Sequence, residues 1–369
     1  MNAKQDEKWT AGLFCAFLFL MALLLLILPK RRFSEREKRY LAEAPKFSAA
    51  AVLSGAWGEQ AEDYLADHLP GRDFFVGVNA YFDLITGRQP GKDILAVSGG
   101  RLVESPASWD EAVAAKNMDA VRSFAQDCTI PVDLMLIPSA GWAAKESVSS
   151  LLGTYEDETM IQALYERSGN ELGCVELCPR FEGQADWYFR TDHHWNSRGA
   201  YEGLCAYLGF VNRSCPPESA YERIDGGIFR GSTWSRSALW LTPGDALELW
   251  QPAGEISVTN AESEETHDGV FYWERLEEED KYTVNLDGNH SLVRTENPNG
   301  EGKLLVIRDS FANSLGTFLA GEYETVVLVD LRYYRQSVSD LLEQEPFDRV
   351  LVCYSLSNFL TDTNLPWLR

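Results

Sequence analysis

Thr191-Asp192-His193-His194-Trp195 holds two of the chain's five histidines side by side, directly behind an aspartate. An Asp two residues before a His suits a catalytic pair. The carboxylate accepts a hydrogen bond from one ring nitrogen, fixes the tautomer and stabilises the imidazolium formed when the other nitrogen takes a proton. In that arrangement Asp192 orients and His194 is the base, while His193 points elsewhere and packs or lines a substrate site. A metal site built from Asp192, His193 and His194 is the weaker reading, because neighbouring residues rarely chelate one ion and no second Glu/His cluster accompanies them. Neither a metal nor a cofactor is expected.

Such a base needs a nucleophile, and Ser310 stands out by position. In Leu304-Leu-Val-Ile-Arg-Asp-Ser310-Phe-Ala-Asn-Ser314 it lies just past a buried-type strand and at the opening of a helix. Active sites of α/β sheets form at such strand ends, and backbone N–H groups at a helix N-terminus can stabilise an oxyanion. Taken alone, Asp309-Ser310 also fits an ordinary helix cap. There is no Gly-x-Ser-x-Gly elbow and no Walker-type phosphate loop. Arg332, Tyr333 and Tyr334 follow the next strand, and Ser355 to Asn358 the third, so both loops should border the same pocket. Asn358 suits a turn cap. Trp195 could stack on a sugar ring, but packing beneath the dyad is the favoured reading.

The elements that must position these residues read as α/β. Pro131-Val-Asp-Leu-Met-Leu-Ile-Pro138, Lys303–Arg308, Thr325–Asp330 and Arg349–Tyr354 are short apolar runs separated by helix-length segments, the pattern of a parallel sheet with crossover helices. The spacing predicts a helix over Glu111–Gln126, another beginning at Met160–Arg167, a hairpin over Ile94–Val103 turning at Ser98-Gly99-Gly100, and an amphipathic helical stretch over Trp57–Phe82 broken at Pro70-Gly71. Between the two α/β portions, residues 215–290 are rich in Trp, Thr, Gly and acidic residues and read as a β-rich insertion. Within it, Gly254–Asp268, with Glu262, Glu264 and Glu265, reads as a solvated hairpin or loop.

Ala11 to Leu28 is almost purely apolar, close to the ~20 residues that a bilayer-spanning helix needs. Pro29-Lys30-Arg31-Arg32 follows in place of a small-x-small cleavage site, which favours a retained anchor. Lys4 and Lys8 precede the span, whereas Lys30, Arg31, Arg32, Arg36, Lys38 and Arg39 follow it. Basic residues alone would therefore put the C-terminal side in the cytoplasm. A lone N-terminal span before a large domain is instead the usual form of a signal anchor. A formal charge of -23 and a pI near 4.6 set nucleic acid aside as a partner. Outside the span lie Cys128, Cys174, Cys178, Cys205, Cys215 and Cys353. The Cys174/Cys178 and Cys205/Cys215 spacings suit local bridges, and buried free thiols fit as well.

Tyr188-Phe-Arg-Thr-Asp-His-His-Trp-Asn-Ser-Arg-Gly199-Ala200 and Val306-Ile-Arg-Asp-Ser-Phe-Ala312, with Tyr64-Leu-Ala-Asp-His-Leu-Pro-Gly-Arg-Asp73 and Ser34–Ala42, resemble the DHHW proteins. These are relatives of the alginate O-acetyltransferases, built on an SGNH-hydrolase-like domain. The resemblance implies a membrane anchor (residues 1–33) and an extracytoplasmic catalytic domain (34–369) carrying the insertion at about 215–290. Asp192 and His194 precede Ser310, a permuted order relative to ordinary SGNH esterases. It further implies a serine acyltransferase or acetylesterase acting on O-acetyl groups of a cell-envelope polysaccharide, with room for a membrane acyl-transfer partner. The same resemblance to SGNH enzymes implies an oxyanion donor at Asn358, a role that fits it as well as the turn cap does. Arg308 stands where such relatives more often have glycine, so its side chain is expected to narrow the pocket or bind an anionic substrate group. The alternative from another class is a non-catalytic envelope protein that binds a polysaccharide or a partner.

Overall fold

The computed structural model describes residues 3–368 except Glu35, Lys38, Lys92 and Glu264, and only the backbone of residues 3–7. Lys38 of the basic cluster and Glu264 of the acidic loop therefore lie outside the described residues. The chain forms two compact units, Met1–Lys92 with Ser235–Leu241, and Asp93–Trp234 with Thr242–Arg369.

The first unit opens with α1 (Ala3–Ile27). Within it, Lys8–Ile27 is the one helical stretch among the described residues long and apolar enough to cross a membrane, with a mean hydropathy of 2.7. A two-residue ribbon, β1 (Phe33–Ser34) with β2 (Arg39–Tyr40), leads to α2 (Ala49–Ser54), α3 (Ala56–His68) and α4 (Arg72–Ile85). Ser48 caps α2 by accepting from Ala51 N–H, and the break between α3 and α4 falls at Pro70-Gly71, as the sequence predicts. Arg39 pairs with Asp67 and Glu37, and Arg72 with Glu37, which ties the ribbon to the α3–α4 turn.

The second unit starts with the hairpin β3 (Ile94–Val97) and β4 (Arg101–Glu104), then α5 (Glu111–Asp127), capped by Asp110, and β5 (Val132–Ile137). There follow α6 (Ala140–Ala143), α7 (Asp157–Tyr165), β6 (Leu172–Val175), α8 (Cys178–Phe181) and α9 (Ser197–Phe210). Helix α7 starts before the expected Met160, because Asp157 and Glu158 make an acidic first turn that suits a helix N-terminus. Residues 215–290 supply β7 (Glu222–Phe229), α10 (Ser232–Ser237), β8 (Asp245–Gln251), β9 (Ser257–Asn260) and β10 (Thr266–Asp268). The chain ends with β11 (Leu292–Glu296), β12 (Lys303–Arg308), α11 (Ala312–Glu322), β13 (Thr325–Val329), α12 (Val338–Gln344), β14 (Arg349–Ser355) and α13 (Leu356–Thr361).

One eight-stranded sheet, in the order β10-β9-β11-β13-β12-β14-β5-β6, organises the second unit. The run from β13 to β6 is parallel; β11, β9 and β10 extend it antiparallel. Leu304–Ile307, Val326–Val329 and Val350–Val352 are wholly buried, as strands covered on both faces must be. Part of the 215–290 stretch thus extends the main sheet, while β7 and β8 pair separately with a register shift after Asp225. Cys205 and Cys215 form a disulfide; Cys174 and Cys178 remain thiols.

Candidate active site

Strand β12 ends at Arg308, and the turn that follows is shaped by the buried Asp309 carboxylate. Its Oδ1 accepts from Phe311 N–H at 3.0 Å. Its Oδ2 accepts from Ser355 N–H, Ser355 Oγ–H and Asn358 Nδ2, each at 2.8 Å. Asp309 therefore fastens the end of β12 to the β14–α13 junction and leaves Ser310 projecting between them. The backbone N–H of Ser310 has no acceptor among the described residues, and α11 begins two residues later.

The Asp192-His193-His194-Trp195 segment is a tight loop before α9. A bridge between Tyr188 and Trp195 closes it, with Phe189 N–H donating to His194 O at 3.2 Å. Asn196 caps α9 through Gly199 N–H at 3.1 Å. Gly199 is required there: a Cβ would overlap Trp187 O and press on Trp195. The buried Asp245, at the start of β8, receives Arg190 N–H and Thr191 N–H, both at 2.9 Å, and the Thr191 hydroxyl. Trp195 lies under the loop with no exposure, its Nε1–H donating to Phe311 O at 3.0 Å and Ser314 Oγ at 2.9 Å. One tryptophan thus joins the histidine loop to the serine turn.

These two segments bring Ser310, His194 and Asp192 into one chain of hydrogen bonds. Asp192 Oδ1 lies 2.6 Å from His194 Nδ1, and His194 Nε2 lies 2.8 Å from Ser310 Oγ. An ionised carboxylate only accepts, so Nδ1 carries the proton and Nε2 is left to accept from the serine. Asp192 is further fixed by His194 N–H at 3.0 Å on Oδ1 and Ser232 N–H at 2.6 Å on Oδ2. Gly231 makes the last contact geometrically feasible, since any Cβ there would overlap the Asp192 carboxylate. Burial by itself would raise the Asp192 carboxyl. The two imidazoles and the hydrogen bonds from His194 and Ser232 outweigh it and hold Asp192 well below the ordinary carboxylate range.

Tyr282, absent from the sequence reading, covers His194. Its ring stacks on the imidazole at 3.9 Å between centroids and 12° between planes. Its hydroxyl bonds Ser310 O at 3.1 Å and Ser314 Oγ at 3.1 Å. Burial keeps this phenol well above its usual pKa. It lies in a four-residue 3₁₀ helix, Lys281–Val284, too short to show a sequence periodicity, so no local signal marks it.

The remaining expected residues are distributed differently. His193 is partly exposed, and its ring lies 3.9 Å from that of His194 between centroids, tilted by 38°; its Nδ1 shares a hydrogen bond with Ser232 Oγ at 2.6 Å. Burial and the neighbouring His194 lower its pKa. His193 lines a small cavity with Glu104, Ser139, Gly141, Phe311 and Ser355 beside the serine. Asn358 gives its amide to Asp309, as above. Arg332 is held by Asp330 at 2.9 and 2.6 Å and lies over the exposed Tyr333 ring. Arg308 does not reach the cleft. The pleat sends it to the opposite face from Asp309, where it is 1% exposed and donates to Asn289, Asn313 and the carbonyls of Gly288 and His290. Ligand-type atoms of Asp192, His193 and His194 lie within 4.8 Å of one another. Both carboxylate oxygens and three of the four ring nitrogens are already engaged in the bonds above.

A search of curated proteins finds no match to the sequence. Among solved structures, Bacillus cereus PatB1 bearing a sulfonyl adduct superposes with a TM-score of 0.64 at 21% identity, covering 75% of this chain and 98% of PatB1. A DHHW family protein from Eubacterium siraeum gives 0.62 at 17% identity, over 74% of this chain and 93% of that one. The O-acetyltransferase domain of Pseudomonas putida AlgJ gives 0.46 at 13%, over 76% and 96%. The first two share the mixed α/β fold and its mostly parallel sheet. The DHHW protein family model matches residues 107–329, more than half of the chain and a span that includes Asp192, His194 and Ser310, so the chain belongs to the DHHW family.

Proposed function

We propose that Ser310, His194 and Asp192 act as a Ser-His-Asp triad for acyl transfer at O-acetyl groups of a cell-envelope polysaccharide. The observation that carries this reading is the unbroken relay from Asp192 Oδ1 through His194 to Ser310 Oγ, at 2.6 and 2.8 Å. Ser310 Oγ attacks the ester carbonyl as its proton passes to His194 Nε2. The oxyanion forms beside the uncommitted Ser310 N–H at the head of α11. The imidazolium, paired with Asp192, returns the proton to the departing alcohol. A sugar hydroxyl or water then takes the acyl group by the same steps in reverse. In this reading Asp192 and His194 precede the serine, permuted relative to SGNH esterases. Residues 1–33 anchor an extracytoplasmic domain, 34–369, with its insertion at about 215–290. The Cys205–Cys215 bridge fits an oxidising compartment.

The test uses the full chain in detergent with a small acetyl ester and a sulfonyl fluoride. A sulfonyl electrophile is captured by an activated hydroxyl, and one structure of PatB1 carries a sulfonyl adduct. Ester turnover and a single adduct on the Ser310 peptide are expected. Both should be lost in Ser310→Ala and reduced about 10²–10⁴-fold in His194→Gln, and neither should change with a chelator. Full turnover by Ser310→Ala would end the assignment, and abolition by chelator would transfer it to metal chemistry.

A further inference from the structure

Helix α4 of the first unit has two apolar faces, and only one is covered. Gly77 and Ala80 are buried. A Cβ on Gly77 would press against Trp240, whose Nε1–H donates to Asp73 O at 2.9 Å. On the other side, Phe74, Phe75, Val78, Phe82 and Ile85 are 66, 43, 49, 56 and 84% exposed. At 3.6 residues per turn these five fall within an arc of about 100° on one side of the helix, with no charged residue inside it. A contiguous apolar ridge of this kind marks a contact surface, in contrast to scattered exposed side chains.

The same unit holds the apolar helix Lys8–Ile27, and the chain leaving that helix packs at the start of α4. Leu28, Pro29 and Lys30 share a cavity of about 370 Å³ with Pro70, Gly71 and Arg72. Lys30 Nζ lies 6.0 Å from the Tyr64 ring centroid. The ridge therefore begins where the span ends. Helix α4 has 14 residues, so all of it lies within ~21 Å of that point. Lys30, Arg31 and Arg32, all exposed, stand at the same end and carry the charge that anionic lipid headgroups attract.

We propose that α4 lies on the surface of the bilayer that α1 crosses, with Phe74, Phe75, Val78, Phe82 and Ile85 seated at the headgroup–acyl boundary. This rests on reading α1 as a retained anchor. It adds a second, monotopic contact that limits how the chain tilts about its span.

The test reconstitutes the full chain in phosphatidylethanolamine/phosphatidylglycerol vesicles containing a phospholipid with a photoactivatable acyl chain. Lipid adducts are then mapped by mass spectrometry on tryptic peptides. Adducts are expected on the span and on Asp73–Arg88. Phe74→Ser/Phe82→Ser/Ile85→Ser should cut α4 labelling about tenfold or more, leaving span labelling and ester turnover unchanged. A labelled span with unlabelled α4 in the unmodified chain overturns the proposal and spares the anchor. If neither is labelled, the anchor reading fails as well. Protein–protein adducts at α4 without lipid adducts would assign the ridge to a second copy or another protein, which also overturns it.

Discussion

His194 is held from three directions. Asp192 grips one nitrogen, Ser310 the other, and Tyr282 covers a face of the ring. A phenol ring stacked on an imidazole stabilises it most once it is charged, by about 0.5–2 kcal/mol, so Tyr282 favours the imidazolium formed during proton transfer. The hydroxyl has a separate task, bracing the serine turn through Ser310 O and Ser314. The two roles separate by substitution. Tyr282→Phe keeps the ring and loses the braces, and should cost about 1 kcal/mol of stability with kcat within about tenfold. Tyr282→Leu removes the ring as well and should lower kcat by a further ~2- to 30-fold with little change in KM. Equal kcat in the two variants, measured on the acetyl ester, would reduce Tyr282 to a packing residue.

The elements that carry the site were legible where chemistry and periodicity coincide. Pro131–Pro138 and Lys303–Arg308 announce parallel strands because burial on both faces demands unbroken apolar runs. The antiparallel edge was not legible. Strand β9 alternates buried and partly exposed residues within a polar stretch, and β11 does so between Leu292 and Glu296, so neither gives an apolar run. Arg308 shows the limit most clearly. Its position beside Asp309 suggests the pocket, and only the pleat decides that the side chain leaves on the other face. There it joins β12, α11 and the 288–290 turn, 4.0 Å from Asp330. Arg308→Met should therefore lower unfolding free energy by about 3–5 kcal/mol, since buried acceptors lose their donor. KM should stay the same for neutral and anionic acyl esters alike. A KM increase confined to anionic esters, with stability intact, would return Arg308 to the pocket.

At the scale of the molecule, the site is assembled from segments far apart in the sequence, and its precision depends on α9 staying fixed to the sheet. The helix starts at Ser197, capped by Asn196 two residues after His194, and its far half carries Cys205, bonded to Cys215 beyond its end. Closing a loop of 10 residues removes disorder from the unfolded chain worth about 2–3 kcal/mol. Cys205 stands eleven residues beyond His194 and ~12 Å along the helix from Ser197, so the bridge fastens the helix without touching the chemistry. Cys205→Ser/Cys215→Ser should accordingly lower Tm by roughly 5–10 °C, while kcat at temperatures well below the transition stays that of the parent chain. Reducing agent should reproduce the Tm shift in the parent and leave the double variant unmoved. Burial pushes the Cys128 thiol up to about 11 and the Cys178 thiol up to about 12, leaving these two poorly reactive near neutral pH. Equal Tm in parent and double variant under oxidising conditions would show that the bridge contributes nothing to stability. A kcat that falls with Tm would show that α9 transmits strain to His194.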